Sequence, residues 1–118
     1  MDAVILARHG ESIFSERQLD GVPASIDALS RVVEAVAGRA EVLLDSGIRR
    51  GVDVLRARAL GAQAVLVGRP VVYALAVGGE EGVVHVLRLL KEEVELGLRL
   101  LGCTSVAEVS REHVEWTP

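Results

Sequence analysis

The chain has 118 residues, 50% hydrophobic but only 3% aromatic, with 13 basic against 17 acidic side chains and a net charge of −4. Its core must therefore be Val, Leu and Ala, and neither the charge balance nor the supply of rings offers a footprint for nucleic acid. The single cysteine, Cys103, leaves no internal disulfide framework. Acidic Asp2 after Met1 is not a basic signal-peptide start, and no apolar run approaches the roughly 18 residues of a membrane span. The expectation is one soluble, cytoplasmic domain with no membrane partner.

In chain order, AVILA at residues 3–7 is a buried-strand candidate ending at Arg8-His9-Gly10. After Pro23 a helical pattern puts Ile26, Leu29, Val32, Val33 and Val36 on one face, with Ser25 as N-cap and Gly38 as the stop. Residues 42–44 form a second strand, residues 51–60 a short crossover helix, and residues 64–67 a third strand. Residues 70–76 make a short extra helix. Residues 81–101 form the longest helix, with Val83, Val86, Leu87, Leu90, Val94, Leu98 and Leu101 spaced by three and four. Thr104, placed before Glu108, caps a last short helix through Glu112. The short uninterrupted apolar strands read as parallel and buried on both faces, and the β-α-β-α order implies right-handed crossovers.

The second and third strands each run into a glycine-arginine loop, LLDSGIRRG and VLVGRP. Gly47 and Gly68 let the backbone approach a ligand, while Arg49 and Arg69 offer planar charged forks suited to phosphate or carboxylate. On neighbouring parallel strands these loops open on one side and form an anion pocket, fit for a phosphorylated cofactor. Arg50 reads as a surface charge, and Arg56 and Arg58 as a solvated helix face. His85 reads as a packed or edge histidine, Cys103 as a structural thiol, and no cluster of residues has metal-ligand spacing.

The stretch LLDSGIRRGVDVLRARALGAQAVLVGRPVVYALAVGGEEGV strongly resembles the C-terminal part of the FMN-dependent α-hydroxy-acid oxidase and dehydrogenase family. RQLDGVPASIDAL upstream and LLGCTSVAEVSREHV downstream extend the likeness over residues 17–114. A complete (β/α)8 barrel takes about 250 residues, so the resemblance implies a partial barrel of three βα units. Its open sheet edges imply completion by homo-oligomerisation. It implies FMN as cofactor and a small 2-hydroxy acid as substrate. Carried over motif to motif, Asp45, Gly47, Arg49, Gly68 and Arg69 bind the cofactor phosphate, with Ser46 standing where many members have Gly. His9 is the catalytic base and Arg17 pairs with the substrate carboxylate. The family has one residue between the two halves of its His-Gly-x-Arg-Gln motif; here six, ESIFSE, separate His9-Gly10 from Arg17-Gln18.

VILARHGES, at residues 4–12, resembles the opening of the histidine phosphatase superfamily, in which the His of Arg-His-Gly-Glu is phosphorylated. On that resemblance residues 1–16 are a phosphatase-like strand and loop joined to a flavoprotein-like segment, 17–118, as in a chimera or rearranged gene. Three readings follow. One is an FMN-dependent oxidoreductase or a fragment of one; another is a non-catalytic α/β module that folds by oligomerising; the last is phosphotransfer at His9.

Overall fold

The computed structural model describes residues 3–6 and 24–115. Three parallel strands, β1 (Ala3–Leu6), β2 (Glu41–Asp45) and β3 (Ala64–Leu66), lie in the order β1-β2-β3. Leu43 pairs with Ile5 on one side and Ala64 on the other, and Asp45 is level with Leu66. Helices α1 (Ser25–Val36) and α2 (Gly51–Ala59) cross over between strands as the apolar spacing predicts. The core forms where both helices meet the sheet: Val42 and Leu44 of β2 are buried against Leu29 of α1, Ala57 of α2 and Leu60 just after it. Helices on right-handed crossovers of consecutive strands lie on one side of a sheet. Burial on both faces is thus not realised among the described residues: Leu43 is half-buried and Leu66 is 39% exposed.

The ends of α1 differ from the reading of the sequence. Ala24, not Ser25, is the N-cap residue. Ser25 is the buried first residue of the helix, and its hydroxyl donates at 2.9 Å to the Asp45 carbonyl, tying α1 to the end of β2. The helix stops at Ala37, already left-handed (φ 49°, ψ 42°), one residue before Gly38.

Beyond β3, α3 (Arg69–Leu101) holds both predicted helices as two arms separated by Gly79, whose φ of 59° and ψ of −144° are open to glycine. Positions eight residues apart in a straight helix are about 12 Å apart. A Cβ on Gly82 would instead lie 3.1 Å from the Ala74 carbonyl carbon, so the chain bends sharply at the break. By length and composition α3 is apolar enough to cross a membrane, yet this bend and the adjacent Glu80 and Glu81 interrupt it. The predicted apolar stripe is half used. Val94 and Leu98 pack against Leu55, Ala59, Cys103 and Val109 in a second cluster, whereas no residue of α3 is fully buried.

The predicted terminal helix is two 3-10 turns, Val106–Glu108 and Arg111–His113. Thr104 and Glu108 do pair: the Thr104 N–H donates to Oε2 at 2.9 Å, and its hydroxyl donates to Oε1. The hydroxyl bond, followed by the backbone bond, holds the Glu108 carboxyl below its ordinary pKa of 4.5. Arg58 is not simply solvated. Its guanidinium donates to the Val106 carbonyl at 3.0 Å and the Ala62 carbonyl at 3.2 Å, so it pins the C-terminal turns to α2. Cys103 is buried, with Sγ 3.5 Å from His113 Nε2.

Candidate functional site

Because β2 and β3 are adjacent and parallel, with Asp45 level with Leu66, their following loops leave the sheet at the same rim. Gly47 and Gly68 each stand two residues past that pair. Gly47, Arg49 and Gly68 are exposed, and Asp45 and Arg69 are half-buried. The structure therefore gathers all five sequence-predicted phosphate-binding residues at one open edge. β1 runs parallel to β2, so its carboxyl end faces the same rim. His9 and Arg17, farther along the chain, lie outside the described residues.

The first loop is shaped by two consecutive left-handed residues, Ser46 (φ 83°) and Gly47 (φ 79°). Glycine takes that conformation freely, whereas an L side chain is strained there. The Ser46 change from glycine is thus a matter of backbone conformation, not only of a hydroxyl. Asp45 Oδ1 accepts the Ser46 N–H at 2.8 Å and steadies the turn. Ile48, 4% exposed, anchors the loop in the core and leaves Arg49 and Arg50, which follow it, at the surface.

The N-terminus of α2 is already neutralised by the protein's own carboxylates. Asp53 Oδ2 accepts from both the Arg49 and Arg50 N–H groups at 3.0 Å. Glu93, from α3, accepts the Gly51 N–H at 2.6 Å and lies 3.5 Å from the Arg50 guanidinium. These anions sit where the partial positive charge of a helix start favours them. The second loop, Gly68-Arg69, opens onto the start of α3. There Val71 and Val72 donate back to the Gly68 carbonyl, at 3.0 and 3.2 Å.

Sequence reasoning missed both carboxylates. Asp53 had a local signal, an acidic residue three positions after the N-cap, but Glu93 is 42 residues from Gly51 and had none. Elsewhere, exposed His85 lines a surface recess with Glu80, Glu81, Val84 and Arg88, along one helix and with none of the rim residues.

A chain with paired Gly-Arg loops at one end of a parallel sheet finds its counterpart in known proteins. Residues 1–116 match the family described as FMN-dependent dehydrogenase. The chain belongs to that family. It is 55% identical to glycolate oxidase 1 of Oryza sativa subsp. indica over 111 residues, which is 94% of this chain and 29% of the relative. It is 50% identical to human 2-hydroxyacid oxidase 1 over 118 residues, 100% of this chain and 30% of the relative. A solved mandelate oxidase variant with a monooxide FMN adduct superposes with a TM-score of 0.81 at 50% identity, over 92% of this chain and 33% of that one. The chain thus spans under a third of the length of the relatives it matches, and its short parallel sheet is a fragment of their fold.

The residues present suit FMN as the family's cofactor. The rim combines a glycine turn, an exposed Arg49 and the Gly68-Arg69 loop, a set of residues suited to a terminal phosphate.

Proposed function

We propose that this chain supplies the cofactor-phosphate rim of an FMN-dependent oxidoreductase acting on small 2-hydroxy acids. Gly47 and Gly68 allow close backbone approach, and Arg49 and Arg69 pair with the phosphate. Asp45 serves by holding the turn, since its carboxylate accepts from Ser46. His9 takes the α-proton of the hydroxy acid and Arg17 fixes its carboxylate. When bound, FMN supplies the electron acceptor for that oxidation. The observation that carries the reading is the level pairing of Asp45 with Leu66, which brings the two Gly-Arg loops to one rim. Its test is anaerobic addition of glycolate, lactate or mandelate to the FMN-loaded protein. Bleaching of the flavin absorbance that is lost in His9→Ala and Arg17→Ala supports it, and an unchanged spectrum with all three acids refutes it.

A second reading is favoured by exposure: Val77 is 91% and Leu100 80% exposed, and the outer edges of β1 and β3 are unpaired among the described residues. On it the chain is a non-catalytic partial barrel completed by further copies of itself. A homo-oligomeric mass in solution without flavin binding supports this reading, and a stable monomer opposes it. The match of residues 1–116 to one family runs through the stretch read as phosphatase-like, and so supports the flavoprotein reading over a chimera joined at Arg17. Transfer of labelled phosphate to His9 would favour phosphotransfer instead.

A further inference from the structure

Glu93 reaches the first rim loop from another element. Its carboxylate accepts the Gly51 N–H at 2.6 Å and faces the Arg50 guanidinium at 3.5 Å, across 42 and 43 residues of sequence. The approach is close because position 51 has no side chain: a Cβ there would meet the Glu93 Cβ and lie 2.6 Å from the Val94 nitrogen. Lower on the same helix pair, Gly97 gives way to Leu55. Asp53 fixes the Arg49 and Arg50 amides from within α2. Glu93 then fixes the next amide, Gly51, from α3. Three consecutive donors of the loop are thereby committed to internal carboxylates, and Arg49 contributes to the rim through its side chain.

We propose that Glu93 is a positioning residue of the phosphate rim, holding the Arg50-Gly51 turn so that the neighbouring Arg49 side chain stands toward the anion. It also keeps that anion away from the start of α2. The proposal rests on the reading of the rim as an FMN-phosphate site, and it makes the seating of α3 a condition for the geometry of a loop far away in sequence. Such a residue acts through Arg49, so its removal and the removal of Arg49 do not add.

The experiment compares the wild-type chain with Glu93→Ala, Glu93→Gln, Arg49→Ala and the Arg49→Ala/Glu93→Ala double variant. It reads FMN affinity by flavin fluorescence and amide exchange at Arg49, Arg50 and Gly51 by NMR. Glu93→Ala is expected to weaken FMN binding about five- to tenfold, with the double variant no weaker than Arg49→Ala alone. It should also speed exchange at Gly51 about tenfold or more. Glu93→Gln keeps an acceptor oxygen for Gly51 and should restore most of the affinity. A purely structural role would lower melting temperature in both Glu93 variants while leaving FMN affinity well below that temperature unchanged. Additive losses in the double variant overturn the proposal. Failure of the wild-type chain to bind FMN would sink the FMN reading; the positioning role is then decided by exchange, and rates at all three amides within about twofold of wild type in Glu93→Ala overturn it.

Discussion

Gly51→Ala is the sharpest perturbation of the α2-α3 contact. The added methyl would lie 2.6 Å from the Val94 nitrogen and 2.7 Å from the Glu93 carbonyl carbon, both backbone atoms that cannot rotate away. Overpacking of this kind costs about 1–3 kcal/mol. Pushing α3 outward also weakens the charge-assisted bond from Gly51 to Glu93, in the class worth about 1.5–3 kcal/mol. Against this stands a gain in helix propensity of at most about 1 kcal/mol. The expected net loss is about 2–4 kcal/mol, a large share of the roughly 5–15 kcal/mol that stabilises a typical domain. The control is Gly97→Ala, whose methyl meets only the far end of the Leu55 side chain, with Cγ at 3.7 Å. A rotamer change relieves that contact, so helix propensity should keep the change within about 1 kcal/mol of neutral. Urea denaturation of both variants at matched m-values measures the difference. A Gly51→Ala protein as stable as Gly97→Ala would refute the packing of α3 on the start of α2.

Other expectations follow from single contacts. Ser46→Gly, relieving a left-handed side chain at φ 83°, should stabilise the chain by about 0.5–1 kcal/mol, read as a raised urea midpoint. Ser25→Ala removes the bond to the Asp45 carbonyl and should cost about 1–2 kcal/mol in the same assay. Glu108 has a depressed pKa in the folded state, so its contribution is present above its ordinary value of 4.5 and is lost as pH falls through the folded value. NMR titration should show the Glu108 pKa rising toward 4.5 in Thr104→Ala; no change would remove Thr104 as the cause. Arg58→Ala should raise amide exchange in the two C-terminal 3-10 turns while leaving α1 unaffected, since its guanidinium holds the Val106 carbonyl.

The sequence made the strands and their order legible because β1, β2 and β3 are short apolar runs separated by helical spacing. The two Gly-Arg loops were legible for the same reason: parallel neighbours place their carboxyl ends together, so a local motif fixes a three-dimensional rim. Helix ends were less so, since Ser25 serves a tertiary bond to Asp45 in place of the cap its side chain suggests. Arg58 read as solvated because its acceptor, Val106, is 48 residues away. Glu93 was invisible for the like reason, as spacing along one helix carries no record of which neighbouring amide a carboxylate will meet. The apolar stripe of α3 was correctly periodic, but periodicity tells which face is apolar, not how much of it a partner element covers.

The central claim is that the paired loops hold a phosphate. It is tested most directly by titrating the chain with FMN and with riboflavin, which differ by that group alone, in wild type and Arg49→Ala. The account predicts that FMN binds at least about tenfold more tightly than riboflavin, and that Arg49→Ala removes most of the difference, as expected of a charge-assisted contact. Equal affinity for the two flavins, or an FMN preference untouched by the loss of Arg49, would contradict it.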